Sequence, residues 1–367
     1  MLVAILIIVI KVAVVFAGIM TGAFLLTWAE RKQSALMSDR IGANRASILG
    51  IRLWGIINSL ADALKLIFKE DFLPPKSMRF LHAIAPVFAM LPVFLTFAVL
   101  PFGPPVMIAG EQVNLQILSL DVGLLFVLAF GSIAVYGVML AGWASNNKYS
   151  LIGGMRASAQ MISYEIILGL CLIGPVLVYG TLDPGKMVAE QNLLLWGWLP
   201  KWGIFVQPLA FLLFLPAAMA ETKRAPFDLP EGESEIIGFA TEYSGMRWGM
   251  FFLGEFAEIV VLAAVLATVF FGGYQIPFLY GGMENMGGPG FHFPGGAYVP
   301  VAEWLVVALR VIAFTLKVGI LMFLQMQIRW TFPRFRYDQL MRVSWREMMP
   351  VALLNIGITG LVLMLLK

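Results

Sequence analysis

Eight stretches of the chain are almost uninterrupted in hydrophobic character, at roughly 2–28, 80–102, 122–143, 162–182, 203–220, 248–271, 302–326 and 348–366. A helix needs about 20 mostly apolar residues to cross the hydrocarbon core of a bilayer, and each run is close to that length. The pattern predicts an all-α polytopic membrane protein with eight transmembrane helices. No basic segment precedes the first run, which exceeds the roughly 7–15 apolar residues of a signal peptide and leads directly into Glu30 and Arg31. It reads as a retained span.

Between the first two runs the periodicity changes. Leu53, Ile56, Ile57, Leu60, Leu64, Ile67 and Phe68 recur at helical spacing, while Asn58, Asp62, Lys65 and Lys69 line another face. Residues 52–70 are therefore expected to form an amphipathic helix in the plane of the membrane interface, either as a plain surface anchor or as part of a site.

The basic residues set the orientation, because lysine and arginine near span ends stay on the cytoplasmic side. Nineteen of the 25 lie in the segments after spans 1, 3, 5 and 7, against only Lys186 and Lys201 in the opposite loops. Segments 29–79, 144–161, 221–247 and 327–347 are then cytoplasmic and both termini external.

Composition narrows the class. Only 13% of residues are charged and 60% are hydrophobic, and the mean hydropathy is +0.86. A soluble domain carries about 25% charged residues, so water cannot be the only solvent. One cysteine, Cys171, and two histidines, His82 and His292, are too few for an iron–sulfur cluster or a closed zinc site. The two histidines also fall on opposite sides of the predicted bilayer, which excludes a bis-histidine haem. No metal site and no nucleic-acid module is expected. The glycine-rich stretch GGMENMGGPGFHFPGG at 281–296 follows no predicted strand and opens no helix, so it reads as an irregular external loop and not as a phosphate loop.

Ionisable groups at bilayer depth are costly and usually face a bundle interior or a watery cavity. Here they are Lys11, Glu165, Glu255, Glu258, Arg310 and Lys317. Glu255 and Glu258 are three apart and share a helix face; Glu303, Arg310 and Lys317 recur every seven residues on another helix. Two readings follow: an ionisable path through the bundle, or local pairs that fix helix packing. The number of groups favours the path, with Lys11 and Glu258 its least secure members.

The segment 221–247 breaks the positive-inside pattern. Glu221, Asp228, Glu231, Glu233, Glu235 and Glu242 crowd into 22 residues, with Pro226 and Pro230 opposing a regular helix. Repulsion among such carboxylates raises their affinity for protons. Phe227, Leu229, Ile236, Ile237 and Phe239 between them suggest a loop that packs.

At these residues the sequence resembles a family: the membrane-embedded H subunits of bacterial respiratory complex I, NADH:quinone oxidoreductase, homologous to mitochondrial NADH dehydrogenase subunit 1. The likeness covers nearly the whole chain, as a single membrane domain over 1–367. It rests on ERK at 30–32, RIGANR at 40–45, LADALKLIFKED at 60–71, GWASNNKYSLIGGMRASAQMISYE at 142–165, AETKRAPFDLPEGESE at 220–235, TEYSG at 241–245 and RWTFPRFRYDQLM at 329–341. There are departures. Ala43 replaces a proline, Asn58 and Ser59 replace Gln-Pro, Phe256 replaces a tyrosine, and Glu258 is an additional acid.

The resemblance implies a subunit that is not catalytic alone but forms much of a narrow chamber for quinone, either ubiquinone or menaquinone. Arg31, Arg40, Asp62 and Arg329 would lie near that chamber, and Asp228, Glu231, Glu233 and Glu235 in the loop beneath it. Glu165, Glu221 and Glu255 would begin a chain of buried carboxylates that couples quinone reduction to proton translocation. The resemblance also implies no covalently bound cofactor, with FMN and iron–sulfur clusters in partner subunits. The partners would be peripheral quinone-module subunits and small membrane subunits, in a bacterial inner membrane. Alternative readings are the membrane subunit of an energy-converting hydrogenase and a secondary cation/proton transporter. The inverted repeats and paired broken helices common in such transporters are not visible in the sequence.

Overall fold

The computed structural model describes residues 2–108, 111–232, 237–281, 288–294 and 296–366. It is mostly helical, as a chain in lipid requires: without water in the hydrocarbon, backbone N–H and C=O groups must be satisfied within the segment itself. In chain order the helices are α1 (Leu2–Met37), α2 (Ile56–Phe68), α3 (Arg79–Phe97), α4 (Gly123–Ala144), α5 (Lys148–Tyr179), α6 (Pro184–Glu190), α7 (Gly203–Val206), α8 (Pro208–Glu221), α9 (Gly245–Phe270), α10 (Glu303–Thr331), α11 (Tyr337–Arg342) and α12 (Met349–Leu365).

Among the described residues, seven helical segments are long and apolar enough to cross a membrane: α1, α3, α4, α5, α9, α10 and Tyr337–Leu365. In the last of these a π-helical turn at Val343–Met348 joins α11 to α12. The fifth predicted run, 203–220, is not one helix. Gln207, at φ −134° and ψ 58°, breaks it into α7 and α8. The cause is Pro208, which disfavours helical geometry in the residue before it. Gln207 turns its amide inward, donating to Thr359 Oγ1 at 2.9 Å and accepting from Asn355 Nδ2 at 3.0 Å. The remaining α8 has 14 residues, about 21 Å at 1.5 Å per residue.

α5 begins at Lys148, well before the apolar run at 162. Asn147 caps it by accepting from the Tyr149 backbone N–H at 3.0 Å. Its first turns are rich in glycine, serine and alanine, so hydropathy alone does not reveal them. Gly153 is required there, because a Cβ would stand 2.7 Å from the Gly238 carbonyl carbon and 2.8 Å from the Phe239 nitrogen.

α9 is the central helix: 67% of its apolar window is buried, against 11% for α1 at the periphery. Small residues Ala257, Ala263, Ala264 and Ala267 face its neighbours, allowing the close helix approach on which packing in lipid depends. α2 follows a 3₁₀ turn at Leu53–Gly55 and packs against α1 and α9. Ser59, buried, accepts from Thr27 Oγ1 at 3.2 Å, and a Cβ at Gly249 would stand 3.4 Å from Leu66 Cδ1. Its Leu60, Leu64, Ile67 and Phe68 remain exposed.

Strands are short and antiparallel. The glycine-rich segment, read above as irregular, contributes one of them: Gly290–His292 pairs with Leu279–Tyr280 on one side and Tyr298–Pro300 on the other. The pairing partners lie outside the glycine-rich run, so its own composition carries no strand signal.

Candidate functional site

Three of the predicted chamber residues share one cavity. Arg31, Arg40 and Arg329 line a space of about 530 Å³ with Glu30, Ser34, Ala35, Gly42, Ala43 and Trp330. A second space, of about 380 Å³, is lined by Arg31, Asp62, Lys65, Lys69, Tyr243 and Trp248 among others. Arg31 borders both, and its guanidinium pairs with the Asp62 carboxylate, so this ion pair forms part of the wall between them. Asp62 is placed by α2, two turns beyond the left-handed Gly55 (φ +91°), where a Cβ would overlap the Ala43 carbonyl oxygen at 2.0 Å. Asn58, one of the departures, accepts from the Ala46 backbone N–H at 3.3 Å and donates to the Gly55 carbonyl at 3.1 Å, tying the 43–55 segment to α2.

Glu30 was not among the predicted site residues. Its buried carboxylate accepts from Arg224 Nη1 at 3.0 and 3.1 Å and from Arg329 Nη1 at 2.6 Å. Arg224 also lies 4.0 Å over the ring of Phe256, one of the departures noted above. The ERK string held the signal, but an acid next to a basic pair at a span end reads as topology. Only the fold brings residues 30, 224 and 329 together.

The acidic loop is clamped from two sides. Gln160 of α5 donates to the Ala220 and Phe227 carbonyls at 2.7 and 2.8 Å, and Ser150 donates to the Phe239 carbonyl at 3.1 Å. From the other side, the Phe335 N–H donates to the Pro226 carbonyl at 3.0 Å and its ring stacks on Phe227. Asp228 pairs with Arg334 at 2.7 Å. Burial pushes its carboxyl up to about 6 although the neighbouring guanidinium opposes the shift. Glu231 enters a two-residue strand paired with Gly238. Glu233 and Glu235 lie outside the described residues.

Glu165 and Glu221 meet in a cavity of about 60 Å³, and the third carboxylate there is Glu258. Glu165 accepts from Ser132 Oγ. Glu221 Oε2 is buried without a hydrogen-bond partner, as is Glu255 Oε1, one turn from Glu258 on α9. Lys223 Nζ sits 3.4 Å from Glu258 Oε2. The described parts of four elements therefore converge: α5, α8, the residues after α8, and α9.

The basic stripe on α10 does not join them. Lys317 donates to the carbonyls of Phe271, Gly273 and Gln275 at 2.7, 2.9 and 2.6 Å and lies over the Trp202 ring. Arg310 donates to the Leu279 carbonyl at 2.6 Å. These bonds satisfy carbonyls freed at and beyond the end of α9, about 20 Å along the helix from Glu258 at 1.5 Å per residue. Lys11 likewise meets a backbone carbonyl, that of Gln116, at 3.2 Å.

A sequence profile of the NADH dehydrogenase family matches residues 10–360. The chain belongs to the NADH dehydrogenase family. Three relatives, all H subunits of NADH-quinone oxidoreductase, illustrate the likeness. That of Flavobacterium psychrophilum is 42% identical over 358 residues, covering 97% of this chain and 96% of the relative. The second such protein of Geobacter sulfurreducens is 44% identical over 355 residues, with 96% and 95% covered. That of Bdellovibrio bacteriovorus is 39% identical over 374 residues, again with 96% and 95% covered. The range matched to the NADH dehydrogenase family, 10–360, includes the residues of the arginine-lined cavities and of the carboxylate cluster.

Proposed function

We propose that this chain is the H subunit of a proton-translocating NADH:quinone oxidoreductase, that it walls the quinone chamber, and that it couples quinone reduction to proton movement. Quinone takes two electrons and two protons to become quinol. The electrons come from iron–sulfur clusters and FMN held by partner subunits, and this chain supplies the chamber and the charges that respond. Arg31, Arg40, Asp62 and Arg329 serve the chamber, with α2 as the amphipathic wall lying in the membrane interface. Asp228, Glu231, Glu233 and Glu235 form the proton-responsive loop beneath it. Glu221, Glu165 and Glu255 carry the response into the bundle.

One observation supports this reading above the others. Two consecutive residues, Lys223 and Arg224, reach opposite sites: Arg224 to Glu30 beside the chamber cavity, and Lys223 to Glu258 at the carboxylate cavity. A change of charge in the chamber therefore has a buried ionic connection to the carboxylates. Packing alone would not require that connection to run between two cavities.

In the full reading the chain crosses a bacterial inner membrane eight times, the fifth crossing being the broken pair α7 and α8. Both termini are external, and peripheral and small membrane subunits of the complex surround the chain. Glu255→Gln tests the coupling role, because glutamine keeps the volume and cannot titrate. In reconstituted vesicles the expected variant complex assembles but loses most quinone-linked turnover and pumping, while Glu255→Asp retains some of both. An assembled Gln variant pumping at the parental rate removes Glu255 from the path. For the topology, an external thiol reagent that modified a cysteine placed at 45 or 336 in intact cells would overturn the orientation.

A further inference from the structure

Glu258 is an acid beyond the family pattern, yet it stands where the carboxylates meet. It lines the same cavity of about 60 Å³ as Glu165 and Glu221, a space large enough for a few water molecules. Into that cavity also faces Glu221, 5% exposed, with Oε2 lacking a hydrogen-bond partner. The charged groups around Glu258 are Glu165 from α5, Glu221 from α8, Lys223 and Arg224 from the segment after α8, and Glu255 one turn away on α9, on which Arg329 of α10 also acts. The α3 and α4 residues of the cavity wall, among them Pro92, Thr96, Leu128 and Gly131, bring no charge.

The charges do not balance locally. Arg224 and Arg329 hydrogen-bond Glu30 and also act on Glu255, and Arg224 acts on Glu258. Among the described residues three cations therefore face the five carboxylates of Glu30, Glu165, Glu221, Glu255 and Glu258, and Lys223 is the one bonded to a carboxylate of the cavity. Its ammonium bonds Glu258 and also acts on Glu255 and Glu221. It can compensate one carboxylate at a time, and a proton is the other means of neutralising the rest. Moreover, Lys223 has a φ of 55°, a left-handed conformation uncommon for a residue with a side chain. A backbone held there is tolerated where the surrounding structure over-determines it, and the burial of this ammonium among carboxylates is such a constraint.

We propose that Glu258 is a proton-carrying member of the buried carboxylate path and that Lys223 is its exchangeable counter-ion. A proton leaving the Glu221 carboxyl crosses the shared cavity through water to the Glu258 carboxylate. Glu221 is then ionised and Glu258 neutral, and the Lys223 ammonium exchanges Glu258 for Glu221 or Glu255. Because Arg224 follows Lys223 directly, this exchange is sensed at Glu30 beside the chamber. The inference rests on the coupling role proposed above.

The test uses the intact complex in vesicles, with Glu258→Gln, Glu258→Asp, the double variant Lys223→Met/Glu258→Gln, and Glu221→Gln. Glu258→Gln is expected to lower quinone-linked turnover at least tenfold, with NADH oxidation by an artificial acceptor unchanged, and Glu258→Asp to retain part of the turnover. The double variant should stay low, since removing both charges relieves the unpaired lysine without restoring a proton carrier. The infrared difference spectrum on quinone reduction should lose a carboxylic acid carbonyl band in Glu258→Gln. Parental turnover in Glu258→Gln, or recovery in the double variant, would make the pair a structural tie and overturn the inference. Glu221→Gln separates the two levels: if it too ran at the parental rate, the coupling role itself would have failed. If Glu258→Gln does not assemble, the double variant decides, because it removes both members of the Lys223–Glu258 pair together.

Discussion

The carboxylate of Glu30, near the end of α1, accepts a hydrogen bond of 2.6 Å from Arg329 at the end of α10. Arg224 completes the bridge from the segment after α8 at 3.0 Å. The peripheral α1 would otherwise be held largely by apolar contacts, which in lipid provide little preference between protein and acyl chain. Three charge-assisted bonds from two guanidinium groups to one buried carboxylate give that contact a direction and a register.

Glu30→Gln keeps the side-chain volume and leaves the largely buried Arg224 and the partly exposed Arg329 guanidinium groups without their anion. Removing one partner of a buried ion pair costs about 3–5 kcal/mol. The expected result is a lower thermal unfolding midpoint and less assembled complex on a native gel, with Glu30→Asp intermediate. A Gln variant with parental midpoint and abundance would show that the arginines are satisfied elsewhere.

Arg31→Ala and Asp62→Ala each remove one half of the ion pair in the wall between the two cavities. Both groups are partly exposed, with side chains 43% and 44% accessible, so little stability is at stake in a pair of this kind. Quinone reduction should fall while NADH oxidation by artificial acceptors persists, because the proposed function assigns the flavin to partner subunits and these residues to the chamber. Assays with both acceptors on the same preparation check this. A parallel loss of both activities at normal subunit content would remove these residues from the chamber.

Lys317→Met addresses the other reading of the buried charges. Its ammonium gives three bonds to carbonyls past α9, so methionine leaves three acceptors to find new partners. A drop in thermal midpoint is expected, with quinone-linked turnover and pumping per assembled complex unchanged. If turnover fell in assembled complexes, the α10 lysine would belong to the path after all.

The contrast between Lys317 and Glu165 shows what the sequence carries. Long apolar runs are legible because lipid imposes them, and the eight runs locate all of the long helices. The break at Gln207 escapes a hydropathy reading, since Pro208 is equally apolar on either side of a kink. Glu165 is legible as an acid at bilayer depth, whereas Glu221 reads as a member of the acidic loop and joins the carboxylate chain only through the family resemblance. A spacing of seven places Glu303, Arg310 and Lys317 on one face, yet says nothing of what that face meets. The partners found for Arg310 and Lys317 are backbone carbonyls, which have no letter in a sequence. Glu258 fails for the opposite reason: as an addition to a known pattern it looks incidental, and only the cavity shows which groups it joins.

The last prediction concerns Asp228, whose carboxyl burial raises from 3.8 to about 6 against the opposing pull of Arg334. The folded state then binds this proton more tightly than the unfolded chain does. By linkage, the group's stabilising contribution is fully present below about pH 3.8 and is lost as pH rises through about 6. The same titration sets the contact with Arg334: at pH 7 the carboxylate is mostly ionised and holds the guanidinium at 2.7 Å, whereas at pH 5 it is mostly neutral and the charge pair is gone. Asp228→Asn is fixed in the neutral form. Between pH 5 and 7, the parental thermal midpoint minus that of the Asn variant should therefore decrease, with an inflection near 6. Over the same range, hydrogen exchange in residues 332–336, corrected for intrinsic rate, should slow in the parent and stay level in the variant. A flat difference curve, or an inflection near 4, would mean that Asp228 is solvated as an ordinary surface carboxylate and that the loop beneath the chamber does not respond to protons through this residue.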